Sequence, residues 1–419
     1  MDATKTRVLF FAEGATLAHV ARPYVLATSL DPSRFDVVFA RPESFAWLTS
    51  DPSLRRVSLG CQEPSIFARR LERGQPLYDL PTLESYVEED LALIDRHEPD
   101  VIIGDFRLSL SVSARLRSIP YITICDAYWS PERPLHAPLP VLGFTPFTPL
   151  PLARSLFRMV SPIAFRHHTV PMERLRANHG LPSLNSDLRR CYTDADLRLF
   201  ANFPELFPEI QPSAAADFIG PIAWSPDPDP ELDLPGTDRP LAYVTMGSSG
   251  DPRVLDDVVP ALEEAGWAAL IATAGRFQPH GTLGSRVRFR DYLPGAQVCK
   301  QAQLVVCNGG SPTTNQALVS GVPVVGIARN MDQFLNMQVV EAYGAGIAVR
   351  ADRTGRRRLS RALTELTSNG RYAECATRLA HSPYAADFGR RLAVHIGRFY
   401  SGTGHGEPVA RRADERDWH

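Results

Sequence analysis

The sequence predicts an α/β chain of two parallel, doubly wound domains, and three observations carry that expectation. Short apolar runs alternate with segments of helical spacing in both halves of the chain. One stretch without apolar periodicity, SPDPDPELDLPGTDRP, concentrates Pro, Asp and Gly between the halves. And 419 residues are too many for one ordinary core but suit two of roughly 150–200 residues each, with a cleft between them.

Each element follows from its pattern. RVLFFA is a strand that stops at EGATLAH, PYVLATSL has helical spacing, and FDVVFA is again a strand, so the chain opens β-α-β. PDVIIGD and PYITICDA are two further buried strands with the helical pattern LSLSVSARLRS between them. Residues 131–160 break the alternation. They are too apolar for a linker and too rich in Pro for a regular helix or central strand, which predicts a long loop with short helices, lining a pocket or simply packed on the domain. DLRLFAN and DFIGPIAW close the first domain. LAYVTMG, WAALIATAG, VRFRDYL, LVVCNGG and VPVVGIA are the strands of the second, alternating with helical stretches such as DPRVLDDVVPALEEAG. The expected boundaries are a first domain at 1–222, a linker at 223–239 and a second domain at 240–380. A C-terminal helix at 381–400 would pack back on the first domain, followed by a mobile polar tail at 401–419.

Composition bounds the function. Lys and Arg number 45 against 47 Asp and Glu, a formal charge of -2, so no global field is available to hold nucleic acid. Apolar residues are 44% and no run approaches the roughly 20 needed to span a bilayer. A small-molecule partner, a cytoplasmic address and a monomer or homodimer are expected. The six cysteines form no C-x-x-C pair and are read as reduced and structural.

In the second half, VVCNGGSPTTNQALVSGVPVV places a glycine pair directly after a buried strand and just ahead of a helix. Glycine lets a backbone approach a ligand closely, and the free N–H groups and dipole of a helix start favour an anion, a diphosphate being the natural guest. The whole string from Val305 to Gly346, VVCNGGSPTTNQALVSGVPVVGIARNMDQFLNMQVVEAYGAG, resembles the donor-binding signature of family-1-type glycosyltransferases, the group of plant UDP-sugar transferases and bacterial antibiotic and macrolide glycosyltransferases. That resemblance implies a GT-B fold, two Rossmann-like domains facing a cleft. It also implies that Gly309, Gly310 and Thr313 meet the donor diphosphate, Gln316 the ribose, and Asp332 and Gln333 the donor sugar. Asn308 stands where the family usually has a phosphate-binding His; its amide can still donate a hydrogen bond but carries no charge. LAYVTMGSSGD resembles the turn facing the phosphates from the other side, which adds Gly247, Ser248 and Ser249. VRFRDYLPGAQVCK resembles the segment whose main chain, at Leu293 and Val298, receives the nucleotide base.

In the first half, displacement at a sugar's anomeric carbon calls for a base on the acceptor hydroxyl, and a neutral imidazole oriented by a carboxylate suits the task. EGATLAHVARPYVLATSL resembles the family's opening Gly-His-x-x-Pro turn and Leu-Ala helix, although Ala18 replaces the glycine and Pro23 is displaced by one position. The match puts His19 on the catalytic position. Asp105, ending PDVIIGD, is the expected orienter, with Asp126 the competitor. Glu13, Phe144 and Phe147 are candidate acceptor contacts. The resemblance thus implies an inverting transfer from a UDP- or dTDP-sugar to a small, natural-product-like acceptor, with no cofactor and no metal. The alternatives are a non-catalytic nucleotide-sugar-binding or auxiliary protein and, below it, a UDP-sugar epimerase or a lipid glycosyltransferase.

Overall fold

The computed structural model describes residues 5–49, 51–235, 239–247, 250–277 and 286–401. The first sheet holds β1 (Thr6–Ala12), β2 (Phe35–Arg41), β3 (Arg55–Ser58), β4 (Val101–Asp105), β5 (Tyr121–Cys125), β6 (Leu197–Phe200) and β7 (Ala216–Phe218). It is all parallel, in the order β3-β2-β1-β4-β5-β6-β7. The second holds β8 (Leu241–Thr245), β9 (Ala268–Ala272), β10 (Val287–Arg290), β11 (Leu304–Cys307), β12 (Val324–Ala328) and β13 (Gly346–Arg350) in the parallel order β10-β9-β8-β11-β12-β13. β1, β4 and β5 are buried along nearly their whole length, as both faces of a parallel sheet require.

Chain order reverses beside the first strand of each sheet, between β1 and β4 and between β8 and β11. Crevices at the carboxyl ends of strands open at such switch points. The pairing of Ala12 with Asp105 and of Thr245 with Cys307 brings the loops that carry the predicted site residues to those two points.

Residues 131–160 depart from the expected loop with short helices. The chain is irregular only as far as Pro149 and then forms one long helix, Leu150–Asn178. Pro151 lies in the first turn, where a missing N–H costs nothing. Pro162 and Pro171 sit inside, and the carbonyls they leave unbonded belong to Arg158 and His167, both exposed to water. The preceding loop straps the two domains together. The Val141 N–H donates to the Arg329 carbonyl at 2.7 Å. Arg350 donates to the Leu139 carbonyl at 2.6 Å, and Arg353 to the carbonyls of Thr145 and Thr148 at 2.9 and 2.7 Å.

One buried cluster runs across the domain junction, carrying Tyr128, Phe203 and Phe207 of the first domain with Leu335, Met337 and Val340 of the second. The last helix, Phe388–Ser401, returns to the first domain and buries Leu392 and Ile396 beside Val20 and Leu26. All six cysteines are free.

Candidate active site

The first-domain half of the site is built where β1 and β4 end side by side. His19 lies in the first turn of the helix Leu17–Ser29, and its Nδ1 is 2.8 Å from Oδ1 of Asp105, the last residue of β4. An ionised carboxylate can only accept, so Nδ1 carries the proton and the lone pair resides on Nε2. Arg22, one turn further along the same helix, grips the other side of Asp105. Its Nε donates to Oδ2 at 2.7 Å and a terminal nitrogen to Oδ1 at 3.0 Å, while the remaining nitrogen reaches Oδ2 of Asp126 at 2.7 Å. Asn202 donates to the other Asp126 oxygen at 3.2 Å. Burial alone would lift the Asp105 carboxyl, but the Arg22 guanidinium and the His19 ring hold it below the usual carboxylate range. Phe106 stacks on the His19 ring at 4.7 Å and 14°. It does so from a left-handed backbone conformation, φ 60°, a strained state for a bulky residue that clusters at functional sites.

The second-domain half is a turn between β11 and the helix Ser311–Val319. Gly309 has φ +77°, and a Cβ there would stand 2.7 Å from Cγ of Met337, so the position accepts only glycine without strain. The Asn308 side-chain oxygen accepts from the Gly310 N–H at 3.1 Å. Its Nδ2 lies 3.7 Å from where a Cβ on Gly247 would be, so the turns after β8 and β11 face each other. Asn336 braces the turn from beneath, donating to the Gly309 carbonyl at 2.9 Å and to the Thr314 hydroxyl at 2.8 Å. A helix start of this kind favours an anion through the N–H groups its own helix does not bond, although Pro312 in the first turn contributes none.

The helix Met331–Tyr343 brings Asp332 across the cleft to the first domain, where Oδ1 accepts from the indole N–H of Trp129 at 3.0 Å. Burial lifts the Asp332 carboxyl above its ordinary range and the charge of Asp126 adds to that, while Trp129 and His19 oppose it. The acidic residue of the second domain therefore feels both carboxylate and imidazole of the first. Trp47, Trp224 and Tyr292 form an aromatic group that brings the two domains together, with centroids 5.9 Å apart for the two indoles and 6.2 Å for Trp47 and Tyr292.

Comparison with known proteins agrees with this architecture. Residues 264–389 match the family described as Erythromycin biosynthesis protein CIII-like, C-terminal domain. A PGL/p-HBAD biosynthesis rhamnosyltransferase of Mycobacterium bovis (strain BCG / Pasteur 1173P2) is 42% identical over 382 residues, covering 91% of this chain and 85% of that protein. The chain belongs to the family-1-type GT-B glycosyltransferases. Two solved structures share the fold. The glycotransferase of kitacinnamycin superposes with a TM-score of 0.70 at 20% identity, over 95% of this chain and 100% of that one. The spinosyn rhamnosyltransferase SpnG complexed with thymidine diphosphate does so with 0.66 at 18%, over 94% and 100%.

In this glycosyltransferase His19 and Asp105 are in contact, Asp126 is joined to them through Arg22, and Asn308, Gly309, Gly310 and Gly247 meet at one point. Thr313 is half-exposed in the first turn of the helix that follows. Ser248 and Ser249 lie outside the described residues. Leu293 and Val298 are buried, beside and beyond the exposed Tyr292. Gln316 donates its amide to the Trp224 carbonyl at 3.3 Å. Gln333 forms a capping box with Asn330, its side-chain oxygen accepting from the Asn330 N–H at 3.3 Å while its own N–H donates to the Asn330 side chain at 3.0 Å; the same oxygen also accepts from the Arg329 N–H at 2.8 Å.

One expectation for the acceptor side needs correction. Glu13 does not face the cleft: it is fully enclosed, 3.3 Å from both the Tyr86 hydroxyl and Arg107, because the buried Arg107 after β4 gathers Glu13 and Asp90 around its charge. The other two acceptor-side candidates, Phe144 and Phe147, are 43% and 89% exposed. The sequence reading passed over Arg22, Trp129, Asn336 and Tyr292. Arg22 had a visible signal, a cation three residues after His19 on the same helical face. Trp129 had none, since its partner is more than 200 residues away.

Proposed function

We propose that this glycosyltransferase moves a sugar from a UDP- or dTDP-sugar, held mainly by the second domain, to a hydroxyl of a small natural-product-like acceptor held mainly by the first. Inversion by direct displacement, without a metal, is the proposed course. The observation that carries this reading is the His19–Asp105 contact at the mouth of the cleft, with Asp332 of the opposite domain within electrostatic reach of it. In the reaction, Nε2 of His19 takes the acceptor proton as the oxygen attacks the anomeric carbon. Asp105 holds the ring in the required tautomer, and Arg22 holds Asp105. A positioned base of this kind supplies about 10²–10⁴-fold in rate.

The departing diphosphate gains negative charge as the bond between the anomeric carbon and its phosphate oxygen breaks. The N–H groups at the start of the helix Ser311–Val319, with the Thr313 hydroxyl and the Asn308 amide, are suited to stabilise it in a water-poor site. In this reading Asp332 and Gln333 address the donor sugar, and the main chain at Leu293 and Val298 the base. Tyr292 offers a ring on which a base can stack. The thymidine diphosphate in the SpnG complex and the rhamnosyl transfer named for the mycobacterial relative favour dTDP over UDP. Calorimetric titration with dTDP, UDP and GDP in EDTA tests the donor half: selective binding of dTDP is expected, and binding of none of the three would overturn it. The product's anomeric configuration, read by NMR, tests inversion.

A further inference from the structure

Tyr128 stands at the junction of the two domains with a hydroxyl that has no partner. The turn that carries it, Ala127–Trp129, follows β5 and is held from behind by Asn202, whose side-chain oxygen accepts from the Ala127 N–H at 2.7 Å. The next residue, Trp129, reaches Asp332 of the second domain. Across the junction the helix Ser311–Val319 is pinned to the first domain, the Asn315 amide donating to the Ala201 carbonyl at 3.0 Å. Tyr128 is 1% exposed. Burial and the charges of Asp126 and Asp332 raise its phenol well above the ordinary range, the Ser311 side chain opposes them, and the phenol in turn opposes the rise of the Asp332 carboxyl. The hydroxyl therefore lies between Asp332 and Ser311, the residue that opens the anion-favouring helix, yet among the described residues it makes a hydrogen bond to neither. Its oxygen is shielded from water as well.

A hydroxyl kept dry and unpaired bears the cost of desolvation without a return, and such groups call for an explanation. A ligand that supplies the partner is one, and the position of Tyr128 says which group of the ligand that is. The phenol keeps its proton at neutral pH, so it offers a donor. The helix start it faces is short of them. Pro312 has no N–H, the N–H of Gly310 is taken by the Asn308 side chain, and Ser311 and Thr313 are the first-turn residues left to offer one. Asn308 brings no positive charge. A diphosphate seated there has more oxygens than the backbone can meet. Tyr128 lies on the side of the helix start that faces Asp332, where the phosphate that carries the sugar would stand.

We infer that Tyr128 is a donor-binding residue supplied by the first domain, its hydroxyl donating a hydrogen bond to an oxygen of the phosphate that carries the sugar. Because its oxygen is shielded, the contact forms as the cleft opens to admit the donor and recloses on it. The inference rests on the reading of this cleft as the donor site and adds a first-domain ligand to it. Its test is Tyr128→Phe, titrated by calorimetry in EDTA with whichever of dTDP and UDP the wild type binds more tightly and with the corresponding nucleotide sugar, beside melting curves of the ligand-free proteins. The free variant should melt at or above the wild-type temperature, because the hydroxyl it lacks was unpaired. Its affinity for the free diphosphate should fall by about tenfold or more, the worth of one hydrogen bond to a charged group, and its affinity for the nucleotide sugar by at least as much. Wild-type affinity for the free diphosphate overturns the inference, and a loss confined to the nucleotide sugar overturns it by giving the hydroxyl to the sugar. A lower melting temperature of the free variant also overturns it, since the hydroxyl would then have a structural partner already. A wild type that binds neither nucleotide fails the donor reading and takes this inference with it. That outcome is distinct from a wild type that binds and a variant that binds equally, which sinks the role of Tyr128 alone.

Discussion

Replacing Arg22 by Met removes the cation that two buried carboxylates share while keeping most of the side-chain volume. Arg22 is 4% exposed and makes three hydrogen bonds of 2.7, 3.0 and 2.7 Å to Asp105 and Asp126. Taking one partner from a buried pair costs about 3–5 kcal/mol, because the charge left behind has neither water nor counterion. The pH dependence has a definite sign. In the wild type the Asp105 carboxyl is held below its unfolded value, so it contributes stability that is present above about pH 4 and is lost as the pH falls through the folded value. Without Arg22, burial becomes the dominant influence and lifts the carboxyl above its unfolded value. Its charged form is then penalised at neutral pH, and acidification relieves the penalty. Urea denaturation should therefore show the gap between wild type and Arg22→Met at its widest near about pH 7.5 and narrower near about pH 5. Turnover should fall by about 10²-fold or more, since Asp105 no longer holds His19 in place. A variant with the wild-type denaturation midpoint at both pH values, and with wild-type turnover, would refute the reasoning.

Further perturbations probe the second domain. Trp129→Phe removes the indole N–H from Asp332 while keeping an aromatic ring, and turnover should drop by about tenfold, the worth of one hydrogen bond to a charged group; unchanged kinetics would strip that contact of a role. Gly309→Ala forces a Cβ against Met337 at positive φ, which should destabilise the protein by about 1–3 kcal/mol and weaken dTDP binding in calorimetry. Wild-type values for both would show that the turn tolerates a side chain. Gln333→Ala should cost about 1 kcal/mol of stability through the lost cap and weaken the nucleotide sugar more than the free nucleotide. Equal losses for the two ligands would confine Gln333 to capping. Turnover measured in EDTA should match that in magnesium, and a requirement for the cation would contradict the metal-free course.

Much of the frame was legible because the parallel strands are short, apolar and bounded by Gly, Pro or Asp, as in RVLFFA, PDVIIGD and LVVCNGG. The turn after β11 was legible for a further reason: Gly309 has to adopt a left-handed conformation against Met337, and that demand leaves a mark in the sequence. Proline density hid the helix Leu150–Asn178, since Pro151 costs nothing in a first turn and the carbonyls freed by Pro162 and Pro171 face water. β3 is four residues, RRVS, three of them polar, and does not announce itself as a strand. At the site, the family resemblance paired His19 with Asp105, whereas strand-end position alone left Asp126 as a competitor. Glu13 was misplaced because nothing in a sequence says that Arg107, far along the chain, will enclose it. Trp129 meets Asp332 only through the closure of two domains, a relation that local periodicity does not encode.

The central claim is that the imidazole of His19, held by Asp105, is the base for sugar transfer and has no part in holding the donor. The most direct test is His19→Ala, with dTDP affinity measured by calorimetry and turnover measured as dTDP released from dTDP-rhamnose with a panel of phenolic and aliphatic alcohols. The account predicts dTDP affinity within about twofold of the wild type and turnover lower by about 10²–10⁴-fold. Turnover equal to the wild type's on acceptors that the wild type glycosylates would contradict it.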